Sequence, residues 1–246
     1  SEMCIRDRTF SEYAGKIDIL QVNGDLVDAQ AISRFNKVYR KSPMEEILIA
    51  RQYMIDLIEM LQPKKVVVNY GNHDLRFQNY LAKNLDTDLL ELMPKTSLEL
   101  IFVDGFNHYN KELYTKVHYD PLIDVFKDSG IEIVYNDTWF SFVGETIFVH
   151  PLAYSSGMLK TAEKAYRYFK DNDYFFDNIV MAHTHKTGHY DIGNSVIYEQ
   201  GCCCETSKMD YADGKLTPSQ REGFILVYQD KFGRLNEDKT RIVRLN

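Results

Sequence analysis

Short apolar runs alternate with longer amphipathic segments along the chain. Residues 17–22 alternate apolar and polar side chains, while residues 65–68 and 178–181 are nearly continuous apolar runs. Runs of this length predict strands. Residues 42–61 carry apolar side chains at helical spacing, start with a Ser-Pro pair and stop before a proline, which predicts a helix. Strand, helix and strand in this order predict a parallel βαβ unit.

The same patterns predict further elements downstream. Helices are expected over residues 75–92 and 158–170. Residues 105–119 are a polar and aromatic stretch, after which a short helix is expected. The remaining expected strands are 98–103, 131–135, 139–143, 146–149, 223–228 and 240–245. Because no internal repeat, low-complexity run or linker interrupts these elements, residues 9–246 are predicted to form one domain.

Polar segments with metal-binding residue types follow three of these strands. Gly-Asp-Leu-Val-Asp at 24–28 follows the first strand, Gly-Asn-His-Asp at 71–74 the second, and Ala-His-Thr-His at 182–185 a later one. In open α/β sheets the strand ends meet at one edge, where several of them can aim side chains at a common ligand. We therefore predict that these segments share one site.

The donor types in these segments suit a divalent metal ion of intermediate softness. A two-metal hydrolase needs a carboxylate that bridges the ions, together with imidazoles and an amide that complete each shell. Asp25 is predicted to be the bridging carboxylate. Asn72, His150 and His183 are predicted to complete the shell of one ion, and His185 to join the other.

Two further residues are predicted to act in catalysis. His73 is a candidate for protonating the leaving oxygen, because imidazole titrates near working pH. Asp28 is a candidate for accepting a hydrogen bond from His73 and holding the ring in place. Of the other histidines, His108 and His118 are expected on the surface or in a lid, and His189 is expected to be structural.

These segments resemble the motifs of the calcineurin-like metallophosphoesterase family. The family's G-D-x-x-D and G-N-H-D/E motifs match 24–28 and 71–74, its lone histidine matches His150, and its G-H-x-H matches 182–185 with Ala182 in place of glycine. The resemblance covers residues 17 to about 200. It implies an α/β fold, a four-layer α/β/β/α sandwich of two mixed β-sheets flanked by helices. It also implies hydrolysis of phosphoesters by a metal-bound hydroxide, with two divalent ions chosen from Mn, Fe, Zn and Co.

The chain departs from the family at its start, where the opening D-x-H motif is absent. No histidine precedes His73, and residues 1–8 resemble the translation of a sequencing-library adapter rather than native sequence. We therefore expect that the first strand has been lost from this sequence. Asp25 and His185 alone would hold a second ion poorly, so this chain is expected to be impaired relative to its full-length parent.

The leading hypothesis is a phosphodiesterase or nuclease-like hydrolase. Residues 28–30 read Asp-Ala-Gln, whereas the protein Ser/Thr phosphatases of the family carry Asp-Arg-Gly at this point. One alternative is a non-catalytic scaffold or binding subunit with a degenerate metal site. Another alternative is a hydrolase that uses a single metal ion.

Composition narrows the possible partners. A net charge of −7 and a pI of about 5.5 argue against a protein that coats nucleic acid. They do not exclude a nucleotide substrate or a local groove that binds nucleic acid. No apolar run approaches the roughly 18–20 residues of a membrane span, so a cytoplasmic location without membrane partners is expected. Cysteines 202–204 are consecutive and are predicted to be small buried residues on a strand, with metal binding or redox chemistry as the alternative.

Overall fold

The computed structural model describes residues 2–33, 41–93, 96–112, 114–206 and 220–245. These residues form two compact units, one comprising Phe10–Asp137 and the other Thr138–Asn246 together with Ser1–Thr9. The expectation of one domain over residues 9–246 stays a prediction. None of the described helices is long and apolar enough to cross a membrane.

The first half of the chain contains a parallel sheet and a separate hairpin. Its elements are α1 (Glu2–Ser11), β1 (Ile19–Asn23), α2 (Pro43–Leu61), β2 (Lys65–Asn69), α3 (Leu75–Asn84), α4 (Thr87–Leu90), α5 (Ser97–Glu99), β3 (Phe106–Asn110), β4 (Thr115–Tyr119), α6 (Leu122–Val125) and β5 (Glu132–Asn136). Strands β1, β2 and β5 pair in parallel with β2 in the centre, and β3 pairs with β4 antiparallel.

The predicted βαβ unit is confirmed. The three valines of β2 are buried, as expected for a central parallel strand. Helix α2 buries one face, with Ile47, Met54 and Ile58 at helical spacing. The register pairs Asn23 with Asn69, so β1 and β2 end level with each other. The turns that follow them therefore start side by side.

The predicted strand at 98–103 is wrong. This segment forms α5 and then a π-helical turn, Leu100–Asp104. Thr96 starts the helix, because its hydroxyl accepts a hydrogen bond from the Glu99 amide at 3.2 Å. Leu98, Ile101 and Phe102 are fully buried. Their spacing of three and four is a helical signal, and a short apolar run alone does not distinguish a buried helix from a strand.

Two other segments also differ from the predictions. Most of residues 105–119 form the β3–β4 hairpin, for which the sequence predicted no strands. The helix expected over 75–92 ends at Asn84, and α4 begins after Asp86, whose side chain accepts the Asp88 amide at 3.1 Å. Leu85 between them has extended backbone, which breaks the helix.

The second half of the chain forms a mixed sheet, one helix and a ribbon. Its elements are β6 (Phe140–Val143), β7 (Thr146–Val149), α7 (Lys160–Asp171), β8 (Asn178–Met181), β9 (Thr187–Ile192), β10 (Ser195–Gln200), β11 (Gly223–Leu226) and β12 (Arg241–Arg244). The strand order is β6-β7-β8-β10-β9, in which β7, β8 and β10 are parallel and the two edge strands antiparallel. Strands β11 and β12 pair antiparallel, as predicted for the closing hairpin.

The mixed sheet is covered on both faces. One face packs with α7 in a cluster that includes Ile179, Met181 and Phe169. The other face contributes Val180 and packs against Ile225 of β11. The central strands β7 and β8 are completely buried, because both of their faces pack against protein. The predicted α/β class, with sheets accompanied by helices, is confirmed.

The expectation of buried cysteines on a strand is wrong. Strand β10 ends at Gln200, and Gly201 takes a positive φ of 86° that turns the chain. Cys202 and Cys203 are partly exposed and Cys204 is exposed. The three cysteines therefore follow the strand instead of filling its core.

Candidate metal centre

Asp25 lies in the turn after β1 and faces the turn after β2. Its backbone is left-handed, with φ of 56°, a conformation that aspartate tolerates better than most residues. Its Oδ1 accepts a hydrogen bond from the His73 amide at 2.8 Å. Because β1 and β2 are parallel and end level, the two turns meet at the carboxyl edge of the sheet.

Gly71 allows this close approach. A Cβ at position 71 would lie 2.2 Å from Asp25 Oδ1 and 2.7 Å from the Asp25 amide nitrogen. Any other residue at position 71 would force these atoms apart. The glycine of the 71–74 segment is therefore required by the position of the Asp25 carboxylate.

Asp74 ties the two turns together, although the sequence suggested no role for it. It is fully buried, and its Oδ2 accepts the Asp25 amide at 2.7 Å and the Gly71 amide at 2.8 Å. Its Oδ1 also lies 3.3 Å from the Ser97 hydroxyl, which donates to it. The available signal was that an acid closes the Gly-Asn-His-Asp segment, but its partners are distant in sequence.

His73 and Asp28 are brought together by the same turns. His73 Nδ1 lies 3.0 Å from Asp28 Oδ1, and His73 Nε2 lies 4.0 Å from Asp25 Oδ2. Arg76 adds a second contact to Asp28, with Nη1 donating to Oδ1 at 2.9 Å and to the Asp28 carbonyl oxygen at 2.6 Å. The geometry is the one expected for orientation of His73 by Asp28, and the catalytic roles of both residues stay predictions.

Glu46 of α2 holds the loop after Asp28. Both of its carboxylate oxygens lie near the Gln30 amide nitrogen, at 3.1 and 3.3 Å. Burial raises the pKa of Glu46, and the neighbouring Asp28 charge raises it further, whereas the Gln30 amide lowers it. The loop includes Ala29, which is buried with left-handed backbone. Asn72, the remaining predicted ligand of this half, lies partly buried between Gly71 and His73.

His150 and His183 meet at the ends of two neighbouring strands. Strands β7 and β8 are parallel, with Val149 opposite Met181, and the Ala182 amide donates to the Val149 carbonyl at 3.1 Å. The two imidazole rings are 5.2 Å apart between centroids, and one ring nitrogen of each lies within 4.8 Å of the other. His150 is buried and His183 partly buried.

His183 and His185 share a turn with unusual backbone. Their φ angles are 82° and 57°, while Ala182 has none of this strain. An alanine therefore fits where the family motif has glycine. Positive φ at residues other than glycine is costly and is often found at functional sites.

His185 is supported by a segment that the sequence did not connect with the site. The Gln220 side-chain nitrogen lies 3.3 Å from His185 Nδ1, and the Arg221 amide donates to the His185 carbonyl oxygen at 2.7 Å. A metal-binding histidine commonly contacts a neighbouring residue through the ring nitrogen that does not bind the metal, and this contact orients the ring. No local pattern around Gln220 indicated this contact.

A scan of protein families matches residues 6–187 to the calcineurin-like phosphoesterase family. The chain belongs to this family. A search of curated proteins found no match. The matched stretch contains all seven residues that the sequence indicated as ligands or catalytic groups, namely Asp25, Asp28, Asn72, His73, His150, His183 and His185.

The donor chemistry of these turns fits the divalent metals that the family binds. His150 and His183 place two imidazole nitrogens within 4.8 Å of each other, and two nitrogens bound to one zinc-like ion are about 3–4 Å apart because each metal–nitrogen bond is about 2.0–2.1 Å. In the unit Phe10–Asp137, Asp25 carries a carboxylate whose Oδ1 is oriented by the His73 amide. Carboxylate and imidazole donors together suit several divalent ions.

The other histidines belong to strands outside these turns. His108 and His118 belong to the β3–β4 hairpin, where His118 Nδ1 lies 3.1 Å from Asn107 Oδ1. His189 lies in β9, and its ring stacks on Tyr198 with 5.8 Å between centroids. These contacts agree with the surface and structural roles expected for them.

Proposed function

We propose that the chain hydrolyses phosphodiester bonds with the help of divalent metal ions. Its family shows the general chemistry, which is metal-dependent cleavage of phosphoesters. The observation that carries the proposal is that the ligand residues lie in turns at the carboxyl ends of paired parallel strands. The strands of each pair, β1 with β2 and β7 with β8, end at matching positions. In a family member, these turns supply the donors for one metal centre.

Five residues are proposed to hold the metal ions. Asp25 would contribute a ligand to both ions. Asn72, His150 and His183 would complete the shell of the first ion, and His185 would join the shell of the second. When bound, such ions polarise the phosphoryl group and lower the pKa of the attacking water. The hydrogen bond from the His73 amide to Asp25 Oδ1 orients one carboxylate oxygen and supports the ligand role of Asp25.

His73 is proposed to donate a proton to the leaving oxygen. The contact between His73 Nδ1 and Asp28 fixes the ring and leaves Nε2 as the atom that exchanges a proton. Arg76 holds Asp28 in turn. This chain of three side chains gives His73 one orientation before substrate arrives.

A small diester or a nucleic-acid strand is the proposed substrate class. Position 29 is a buried alanine, so the arginine that the protein Ser/Thr phosphatases carry at this point is missing. The net charge of −7 disfavours broad contact with duplex nucleic acid. These two features together favour a compact diester over a phosphoprotein.

The two ions are proposed to differ in affinity in this chain. The first has four proposed ligands, whereas the second has Asp25 and His185, because no histidine precedes His73. Titration of the chelator-treated protein with Mn²⁺ is expected to show one tight and one weak site per chain. Two equally tight sites would contradict this part of the proposal.

Hydrolysis of bis(p-nitrophenyl) phosphate and p-nitrophenyl phosphate tests the function. Because this chain is predicted to be impaired, weak activity is expected after Mn²⁺, Fe²⁺, Zn²⁺ or Co²⁺ is restored, with the diester cleaved in preference to the monoester. Asp25→Asn and His183→Gln should abolish activity, and His73→Gln should lower kcat by about 10²–10⁴-fold while metal binding is kept. His189→Gln, in β9, is the matched control and should keep full activity.

A folded protein that binds metal but cleaves neither substrate would favour the scaffold alternative. The observation behind that alternative is the missing D-x-H motif of the family. Hydrolysis with a single bound ion per chain would instead favour the one-metal hydrolase. Diester cleavage that Asp25→Asn leaves intact would reject the proposed site.

A further inference from the structure

Two side chains of opposite charge are buried beside the turn that carries His183 and His185. Lys186 follows this turn directly and is 2% exposed, and Glu199 of β10 is 0% exposed. Lysine and glutamate are almost never buried to this degree unless they are paired. Glu199 pairs with Gly188 in the β9–β10 register, two residues beyond Lys186. Lys186 directly precedes β9 and Glu199 lies near the end of β10, so the two charges lie at the same end of this strand pair.

Lys186 connects this turn to the loop that follows His150. Its Nζ donates to the Ser156 carbonyl oxygen at 3.0 Å and lies 5.5 Å from the centre of the Tyr154 ring. The same ring meets the His183 ring at 68°, with 6.1 Å between centroids. The buried ammonium thus links the loop after β7 with the turn after β8.

Glu199 faces the same turn and the same loop. Burial raises the pKa of Glu199, whereas the Thr184 hydroxyl, the Lys186 charge and the Leu159 amide lower it. Within the described residues, neither carboxylate oxygen makes a hydrogen bond of ordinary length and angle. Of the three groups that lower its pKa, Thr184 and Lys186 flank His185 in the chain.

We propose that Lys186 and Glu199 are positioning residues that orient His183 and His185 for metal binding, an inference that rests on the proposed function. Both histidines have left-handed backbone, which persists only where the surroundings enforce it. Buried charges of opposite sign often add no stability over apolar side chains of equal volume. The contribution of these two residues is therefore the orientation of the turn, with Lys186 beside the Tyr154 ring and Glu199 beside Thr184.

A double substitution separates positioning from stability. Lys186→Met and Glu199→Leu are each expected to lower the urea midpoint, because each leaves an uncompensated buried charge. The two together remove both charges and should restore the midpoint of the metal-free protein. The Kd of the double variant for Mn²⁺, measured by calorimetry, is nevertheless expected to rise about tenfold. Lys164→Met, an exposed lysine that contacts Ser155, is the matched control and should bind Mn²⁺ like the wild type.

A change of less than threefold in the Kd of the folded double variant would overturn the inference, because the pair would then be structural only. If the double variant does not fold, Glu199→Gln replaces it, since it keeps the volume and removes the charge. The same threefold limit applies to that variant. Wild-type protein that binds Mn²⁺ but cleaves no phosphoester would reject the proposed function and leave the positioning role standing. Wild-type protein that binds no Mn²⁺ would overturn both.

Discussion

The two groups of candidate ligands are held in place by different means. Asp25 and His73 lie in turns fixed by buried carboxylates, because Asp74 accepts the amides of both turns and Glu46 accepts the amide of Gln30. His183 and His185 lie in a turn of left-handed backbone, flanked by the buried charges Lys186 and Glu199. One group is fixed by short hydrogen bonds to the main chain, and the other by packing around a strained main chain.

This difference predicts different responses to substitution. Hydrogen bonds that main-chain amides donate to a buried carboxylate are strong, and their loss leaves buried donors without an acceptor. The carboxylate-bound turns should therefore lose stability and metal binding together. In the histidine turn, the contacts to side chains mainly set orientation, so metal affinity should fall more than stability does. Substitutions at four positions test this contrast.

Asp74→Ala should have the largest effect. It removes the acceptor of two short main-chain hydrogen bonds, at 2.7 and 2.8 Å. Each buried donor left unsatisfied costs about 1–3 kcal/mol, so the free energy of unfolding should fall by about 3–5 kcal/mol. Urea unfolding of the metal-free protein measures this change. Asp56→Ala is the control, since Asp56 is exposed on α2 and bonds to Gln52, and it should change stability by about 0.5 kcal/mol or less.

Gly71→Ala should have the next largest effect. The new Cβ would lie 2.2 Å from Asp25 Oδ1, so the carboxylate must move, at a cost of about 1–3 kcal/mol for overpacking. Mn²⁺ affinity should fall with stability, because the displaced atom belongs to a proposed ligand. Gly188→Ala adds a Cβ at ordinary contact distance from Leu159 and serves as the control. Unchanged Mn²⁺ binding by Gly71→Ala would argue against the ligand role of Asp25.

The turns of both groups could be predicted from sequence because each combines a hydrophobic run with a polar motif. Strands β2 and β8 are apolar and short, and the segments 71–74 and 182–185 follow them directly. Such local signals fix where a strand ends and which side chains reach the sheet edge. They also place Asp28 within reach of His73, as the structure shows.

The residues that support the ligands could not be predicted in the same way. Asp74, Lys186 and Glu199 look like ordinary polar residues, and their burial depends on partners far away in the sequence. A polar residue in a strand predicts a solvent-facing position, which β10 contradicts at Glu199. The hairpin at 105–119 was missed for a similar reason. Its strands are largely exposed, so their side chains carry weak hydrophobic alternation.

Gln220→Ala should affect metal binding with little loss of stability. Gln220 contacts His185 through the ring nitrogen Nδ1 at 3.3 Å, and loss of such an orienting partner lowers metal affinity by about 10–100-fold. The urea midpoint should stay near that of the wild type, because Gln220 is partly exposed. Gln52→Ala, which removes an exposed side chain of α2, is the control. A large fall in stability with unchanged affinity would reverse the contrast between the two groups.

Glu46→Gln should have the smallest effect. This effect should be visible only in how the free energy of unfolding depends on pH. Burial raises the pKa of Glu46 above 4.5 in the folded protein, so the folded state binds this proton more tightly than the unfolded state does. The stability that the protonated group contributes is complete below the unfolded pKa and is lost as the pH rises through the folded pKa. The free energy of unfolding of the metal-free wild type should therefore fall, relative to Glu46→Gln, as the pH rises from 4.5. Glutamine stays neutral and can still accept a hydrogen bond from the Gln30 amide, so the curve of this variant should lack this loss.

Glu45→Gln, on the exposed side of the same helical turn, controls for the removal of one charge. Parallel curves for wild type and Glu46→Gln would mean that the loop after Asp28 is held by the shape of the side chain and not by its charge.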